Sequence, residues 1–343
     1  MKKLEGYMHG VDFGGWLSQC DHTKERYDGF ITESDFKKVS EWGLDHVRIP
    51  VDYELVEDAN GDYVEEGFEY IERAYKWATD NGLNMILDLH KTFGYSFDPH
   101  YGESGLFEDA GLQERFIRLW EEFARRYGDR KDHMCFELLN EVTNKEFSDS
   151  WNDILTRCIE RIRKIAPDIK IITGGYHHNS IEALKDLAKP HDENVVYTFH
   201  FYEPHLFTHQ GASWMCPPMD KDLRIPFELT YKEYIDMTEK NIGEMVMTMD
   251  AYDGDKVIGD EYFDDCFREA VAVAEERDVA LYCGEYGAID NADPKETLKW
   301  LKVLGSCFER YGIGRALWNY KEMDFGLLDS RMDEVRDEIL KVM

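Results

Sequence analysis

The segment CFELLNEVTN, residues 135–144, indicates a buried strand that ends abruptly in two polar side chains. Residues 135–139 form the short, mainly apolar run of a core strand, and Asn140 and Glu141 follow it directly. A carboxylate at the rim of a strand either solubilises the chain where it surfaces or exchanges a proton with a bound molecule. Acids are abundant throughout this sequence, so the second interpretation requires a partner from elsewhere in the chain.

Similar runs recur along the chain, and amphipathic stretches long enough for helices lie between them. The predicted strands are residues 7–13, 46–51, 85–90, 134–140, 170–174, 195–201, 280–284 and 315–318. The predicted helices include residues 34–42, 67–81, 113–127, 150–165, 261–277 and 294–311. Eight β-then-α units in one chain of this length predict an α/β fold, a (β/α)8 TIM barrel. A doubly wound open sheet is the main alternative, but the stretch DFGGW after the first strand lacks the G-x-G-x-x-G phosphate turn.

One segment interrupts this alternation. Residues 203–260 separate the sixth strand from its helix, and they contain Trp214, four prolines and several aromatic residues. The segment is too long for an ordinary loop and too aromatic for a flexible linker. We therefore predict one catalytic domain over residues 1–343, with residues 203–260 as a subdomain inserted over the cleft.

Composition limits the partners. The chain has 71 acidic and 40 basic residues, a formal charge of −31 that disfavours nucleic acid and anionic membranes. No apolar run approaches the roughly 20 residues of a membrane helix. The seven cysteines are scattered without a C-x-x-C pair, which argues against a disulfide framework or zinc knuckle. No secretory signal is visible, so we expect a cytoplasmic protein, or a secreted one if a leader has been removed, and a monomer.

Polar, ionisable or aromatic side chains stand where most predicted strands end. They are Arg48, His90, Asn140, Glu141, His200, Tyr202, Glu285 and Trp318. Because chemistry in a barrel of this kind occurs at the carboxyl ends of the strands, their convergence predicts a site.

Glu141 and Glu285 follow strands four and seven, which lie across the mouth from each other. Paired carboxylates suit glycosidic cleavage, where one is a protonated acid and the other an ionised nucleophile or base. We expect Arg48 and Tyr202 to keep Glu285 ionised and burial to keep Glu141 protonated. Trp318 offers an apolar face for a sugar ring.

The motifs HVRIP, LDLH, FELLNE, FHFY, CGEYG and WNYK, together with GVDFGGWL, resemble glycoside hydrolase family 5. The stretches GGWL, HFYEPHLFTHQ, LYCGEYG and WNYKEMDF, with the insertion after strand six, are similar to endoglucanases of the C type in that family. The resemblance spans essentially the whole chain. It implies a retaining, endo-acting hydrolase of β-1,4-linked or mixed-linkage β-glucan that needs no cofactor.

The resemblance also implies roles for single residues. Glu141 would be the acid/base and Glu285 the nucleophile, while Asn140 would bind the 2-hydroxyl of the sugar. Arg48 and Tyr202 would hold the nucleophile in position. His90 and His200 would complete the polar wall, and Trp318 would be the platform for the sugar ring. Two positions depart from the family: Asp12 stands where Asn is usual, and Lys91 stands where a second His is frequent.

Several alternatives stay open at this point. The same chemistry could act on β-mannan, xylan or xyloglucan, or the barrel could bind sugar without cleaving it. Trp214 could stack on sugar at an outer subsite or pack inside the insertion. His205 and His209 have the spacing of a metal pair but no third ligand or H-E-x-x-H motif accompanies them, so we predict no metal site.

Overall fold

The computed structural model describes residues 1–243 and 249–343, and these fold around a closed barrel of parallel strands in the order β1 to β8. The strands are β1 His9–Asp12, β2 His46–Asp52, β3 Asn84–Lys91, β4 Met134–Glu137, β5 Lys170–Thr173, β6 Val195–Phe201, β7 Ala280–Tyr286 and β8 Gly314–Leu317. The first and last strands pair through Gly10 and Ala316, which closes the sheet. The predicted (β/α)8 barrel is confirmed.

Amphipathic helices cover the outside of the barrel. The helical segments are α1 Lys24–Gly29, α2 Glu33–Glu41, α3 Glu65–Asp80, α4 Ala110–Tyr127, α5 Ser148–Arg163, α6 Tyr176–Asn179, α7 His205–Thr208, α8 Tyr231–Asn241, α9 Asp260–Arg277, α10 Pro294–Tyr311 and α11 Arg336–Ile339. Capping residues fix several of their ends: a box between Thr32 and Asp35 opens α2. At the end of α10, Gly312 adopts φ 66°, a left-handed conformation that glycine accepts without steric cost.

The connection after β5 departs from the expected pattern of eight similar units. In this described stretch, the long helix is replaced by α6 and a 3-10 helix at Ile181–Asp186. His177, His178 and Asn179 within α6 have φ values of 51°, 57° and 55°, so α6 is a left-handed turn rather than a right-handed helix. Such a conformation costs a residue with a side chain about 1–2 kcal/mol, so tertiary contacts must hold this turn in place.

The barrel interior has an apolar floor and a polar upper layer. Side chains near the amino ends of the strands form the floor, including Ile86, Cys135, Ile172, Val196 and Tyr282. Above them lie Arg48, Asp88 and Glu137, which are all fully buried. Buried charges require partners, so this layer places a network of ion pairs directly beneath the mouth, the end of the barrel where the strands finish.

The segment between β6 and α9 contains α7, α8 and irregular chain. Its described part packs on the barrel: Tyr234 and Phe227 are buried, and the Tyr234 hydroxyl donates to the Phe227 carbonyl at 2.7 Å. Residues 244–248 of the predicted insertion lie outside the described residues. The division into a domain and an inserted subdomain stays a prediction.

Among residues 1–243 and 249–343, no helix combines the length and the apolar character needed to cross a membrane.

Candidate active site

Arg48 is the centre of the site. The strand β2 buries its guanidinium completely, and the Nε atom donates to Glu137 Oε2 at 2.7 Å. The Nη1 atom donates to Asp12 Oδ1 at 3.0 Å and to Glu285 Oε1 at 2.9 Å. The Nη2 atom contacts Asp88 Oδ2 and Asn140 Oδ1, both at 3.0 Å. Arg48 was predicted to follow β2, but it lies within the strand. Its side chain therefore reaches the site from inside the barrel, beneath the mouth.

Four carboxylates around one guanidinium cannot all be charged at low cost. Burial raises the pKa of Asp12 well above its ordinary value, despite the attraction of Arg48, and Glu285 raises it further. Burial also raises the pKa of Glu137, again against the attraction of Arg48. A protonated Asp12 has the neutral charge and nearly the shape of asparagine.

Glu285, near the end of β7, is held by three groups. Besides the bond from Arg48, the Tyr202 hydroxyl donates to Glu285 Oε2 at 2.9 Å. His200 Nδ1 lies 3.6 Å from the same oxygen. These contacts fix the position of both carboxylate oxygens of Glu285.

Glu141 lies beyond the end of β4 and is held by two imidazoles. His200 Nδ1 contacts Oε1 at 2.7 Å, and His178 Nδ1 contacts Oε2 at 2.9 Å. Burial opposes ionisation, but the charge of His178 and the hydrogen bonds from both rings outweigh it and hold the pKa of Glu141 below its ordinary value. The prediction that burial keeps Glu141 protonated is therefore wrong for the free protein, because it did not include the contact from His178.

The two glutamates face each other across the mouth. A carboxylate oxygen of Glu141, a carboxylate oxygen of Glu285 and a nitrogen of His200 all lie within 4.8 Å of one another. Carboxyl groups about 5 Å apart leave room for attack on a sugar carbon but not for an intervening water molecule. The arrangement can support a double displacement.

His90 and Trp318 form the opposite wall. Their rings are parallel, with an interplanar angle of 3° and centroids 5.8 Å apart. His90 Nδ1 bonds to Asp88 Oδ2 at 2.7 Å, and this carboxylate raises the pKa of His90 although burial opposes the charge. The edge of Trp318 packs on Gly14, where a Cβ atom would lie 2.4 Å from the indole. A side chain at residue 14 would displace the indole.

Trp214 lies on the segment after β6 and is 51% exposed. Its ring centroid is 6.5 Å from that of His209, which itself packs on Tyr202 and Phe325. Burial lowers the pKa of His209 to about 3, so this ring is neutral. His205 instead bonds to Glu203 at 3.0 Å. His205 and His209 thus have separate partners. The exposed indole of Trp214 lies beside the mouth.

Three participants had no predicted role. Asp88 and Glu137 stand inside the apolar motifs LDLH and FELLNE, where an isolated charge in a core strand indicates a buried partner. That signal was available in the sequence. The third, His178, reaches Glu141 only because of the left-handed turn after β5, and no local pattern predicts such a turn.

A second group of possible ligand atoms lies at the rim of the barrel. Among the described residues, His22, Asp52 and Glu54 bring ligand atoms within 4.8 Å of one another. The Lys91 ammonium already contacts Glu54 and lies 3.8 Å from Asp52, with its side chain only 4% exposed. Lys91 thus supplies the positive charge that a cation would bring, and we identify no metal site in this cluster.

Comparisons with known proteins agree with this geometry. A model of the cellulase family, glycosyl hydrolase family 5, matches residues 10–324. Cellodextrinase A of Ruminococcus flavefaciens is 43% identical over 315 residues, covering 92% of this chain and 86% of the relative. Endoglucanase C of Acetivibrio thermocellus is 37% identical over 343 residues, covering 99% and 98% of the two chains.

Solved structures show the same fold. Cel5A of Thermotoga maritima, in complex with cellobiose, superposes with a TM-score of 0.75 at 24% identity and covers 97% of each chain. The chain belongs to glycosyl hydrolase family 5, the cellulase family, and is a glycoside hydrolase.

Proposed function

We propose that this protein is a retaining, endo-acting hydrolase of β-1,4-linked or mixed-linkage β-glucan, with Glu285 as nucleophile and Glu141 as acid/base. The observation that carries the proposal is the approach of their carboxylate oxygens to within 4.8 Å across the mouth. The names of the relatives, a cellodextrinase and an endoglucanase, support a glucan substrate.

The contacts of each carboxylate support its role. Glu285 receives hydrogen bonds from Arg48 and Tyr202, and these orient its carboxylate for attack on the anomeric carbon. Glu141 gives a proton to the departing oxygen as the carbon–oxygen bond breaks. In the second half of the reaction Glu141 removes a proton from water, which attacks the same carbon and releases Glu285, so the product keeps its configuration.

The remaining wall would hold the sugar. Asn140 is fixed by Arg48 at 3.0 Å and, under this proposal, its amide group faces the 2-hydroxyl at the cleavage subsite. His90 and His200 complete the polar wall, and Trp318 provides an apolar surface for the ring. We expect catalysis without a cofactor or metal and a monomeric enzyme; these expectations stay predictions.

Replacement of Glu285 tests the assignment of the nucleophile. The Glu285→Gly variant is expected to lose hydrolysis of an aryl cellobioside, and azide should restore turnover and give a glycosyl azide of the opposite anomeric configuration. Glu182→Gly removes an exposed carboxylate that bonds to Lys145 near the same rim, and it should change neither activity nor azide dependence. Undiminished activity in Glu285→Gly would exclude it as the nucleophile.

The products define the substrate class. Purified cello-oligosaccharides of increasing length should be cleaved at internal bonds, giving mixtures of shorter oligomers rather than a single terminal unit. A parallel panel of cellulose, lichenan, mannan, xylan and xyloglucan should release reducing sugar mainly from the first two. Preferential release from mannan, xylan or xyloglucan would exclude the glucan assignment while leaving the chemistry intact.

A further inference from the structure

The turn after β5 is bonded to the segment that carries Glu141. The His177 amide donates to the Thr143 carbonyl, and the His178 amide donates to the Val142 carbonyl, both at 3.0 Å. Thr143 and Val142 directly follow Glu141. The left-handed turn and the acid therefore form one structural unit, and the position of the His178 ring relative to Glu141 is set by backbone contacts.

The two imidazoles on Glu141 differ in character. His200 is buried, and the Asn179 amide nitrogen lies 3.4 Å from its Nε2 atom. An amide donor at Nε2 places the His200 proton on Nδ1, where it donates to Glu141 Oε1. His178 contacts the other oxygen, and its side chain is 54% exposed at the mouth. His178 is thus the imidazole that can exchange a proton with solvent and substrate.

The charges around His178 and Glu141 favour the presence of one proton on this pair. The loss of hydration on burial disfavours the charged form of His178. The charge and hydrogen bond of Glu141 outweigh this effect and, together with the charge of Glu285, raise the pKa of His178. The other titratable groups that face the pair are His205, which is paired with Glu203, the neutral His209, His200, Tyr202 and Tyr95. The Tyr95 hydroxyl donates to the backbone carbonyl oxygen of Glu141 at 2.6 Å. It therefore does not compete with the two imidazoles for the carboxylate.

We propose that His178 and Glu141 hold a single titrating proton between them, and that His178 is the positioning residue that keeps this proton beside the scissile bond in the free enzyme. This inference rests on the function proposed above. The proton moves from His178 Nδ1 to Glu141 Oε2, which leaves a neutral ring and a neutral carboxyl group. The carboxyl group then protonates the departing oxygen, and the proton that Glu141 later takes from water restores the pair.

A proton that two groups share has a different apparent pKa from a proton on an isolated acid. The last proton leaves a coupled pair at a higher pH than it would leave either group alone, because two sites contribute to its binding. The alkaline limb of the pH profile should therefore begin at a higher pH than for Glu141 alone. It should descend from a lower plateau, because part of the singly protonated pair carries its proton on His178. At still higher pH, activity should be independent of His178, since the amount of protonated Glu141 is then the same with or without it.

The pH profile of kcat/KM tests the proposal, with a cello-oligosaccharide as the substrate that requires acid assistance. His178→Asn retains a donor near the Nδ1 position and suits a φ of 57°, since asparagine tolerates the left-handed region. We expect its alkaline limb to begin at a pH about one unit or more lower, with a correspondingly higher plateau of kcat/KM and an unchanged value at high pH. A dinitrophenyl cellobioside, whose leaving group needs no proton, should show no such change.

His177→Asn is the matched control. His177 has a φ of 51° in the same turn, and its Nδ1 atom lies 3.8 Å from Glu182 rather than near Glu141. Its profile should superpose on that of the wild type. A His178→Asn profile that also superposes on the wild type for the cello-oligosaccharide would overturn the proposal.

A titration without turnover separates this inference from the proposed function. Nitrogen NMR of the His178 ring should give a pKa above the ordinary value of about 6.5 in the wild type and a lower one in Glu141→Gln. An unchanged His178 titration in Glu141→Gln would overturn the shared proton. If the wild type cleaves no glucan while the NMR shift occurs, the proposed function fails and the proton-sharing pair stands.

Discussion

Arg48 Nη1 lies 2.9 Å from Glu285 Oε1, and the same atom lies 3.0 Å from Asp12 Oδ1. One nitrogen of a completely buried guanidinium therefore connects Glu285 on β7, the proposed nucleophile, with a carboxyl group on β1. The planar fork of arginine allows this, because its donors point in fixed directions that a lysine ammonium does not reproduce. The orientation of Glu285 depends on the whole network beneath it.

Arg48→Lys should reduce both stability and turnover. The ammonium keeps the charge but loses most of the five contacts, so we expect the free energy of unfolding to fall by about 1.5–3 kcal/mol or more. The value of kcat should fall at least about tenfold because Glu285 loses a fixed donor. Chemical denaturation and steady-state kinetics measure the two effects.

Arg315→Lys is the control for a buried arginine outside the site. Arg315 is 1% exposed and bonds through Nη2 to Glu309 at 2.8 Å. This variant should lose stability while the folded fraction keeps its kcat. Equal loss of kcat in both variants would mean that Arg48 acts through stability alone.

Tyr202→Phe should lower kcat with little effect on folding. The change removes the hydroxyl that donates to Glu285 Oε2 at 2.9 Å and keeps the ring that packs on His209 and Phe325. A hydrogen bond to a charged group contributes about 1.5–3 kcal/mol, so a decrease of about 10- to 150-fold is expected. Tyr286→Phe is the control, because that buried hydroxyl has no partner among the described residues. Normal turnover by Tyr202→Phe would contradict this role.

Asp12→Asn should stabilise the protein increasingly as the pH rises. Burial raises the pKa of Asp12 in the folded state, so the unfolded chain releases this proton first. The contribution to stability is thus lost as pH rises from about 4 toward the folded-state pKa, by about 1.4 kcal/mol per pH unit. Asparagine does not titrate, so the difference between variant and wild type should widen over this interval, as measured by urea denaturation at several pH values. A difference independent of pH would mean that Asp12 is ionised when folded.

Trp214→Ala should lower kcat/KM for long oligosaccharides only. Stacking of an aromatic ring contributes about 0.5–1.5 kcal/mol, so kcat/KM for longer cello-oligosaccharides should fall about 2- to 12-fold. Hydrolysis of a short aryl glycoside should be unchanged. Since the indole is 51% exposed, the free energy of unfolding should change by less than about 0.5 kcal/mol.

Tyr63→Ala is the comparison for Trp214→Ala. Tyr63 is a 38% exposed ring whose hydroxyl bonds to the Arg118 carbonyl on the outer helix α4. Oligosaccharide kinetics should be normal in this variant. A large loss of stability in Trp214→Ala, with uniform loss on all substrates, would favour packing inside the insertion over an outer subsite.

The sequence by itself determined the barrel and pointed to two glutamates at its mouth, whose roles stay predictions. Strand β6 and helix α10 were both predicted with their observed bounds. The first is a short, mainly apolar run, and the second is an amphipathic stretch that begins after Asp293 and ends before Gly312. Strand β4 was predicted to reach Asn140 but ends at Glu137, so the residues of the motif that carry the chemistry stand on the loop beyond it. Motif order and spacing pointed to Glu141, which stands beyond the end of β4, and to Glu285, which lies near the end of β7.

Only the tertiary structure decided how these acids are held. Arg48 and Glu285 are 237 positions apart, and His178 is 37 positions from Glu141, so neither contact leaves a local pattern in the sequence. The protonation of Glu141 depends on an imidazole placed by a left-handed turn, and the state of Asp12 depends on burial beside other carboxylates. Charge interactions depend on distance and desolvation in space, and both are fixed only when the barrel closes.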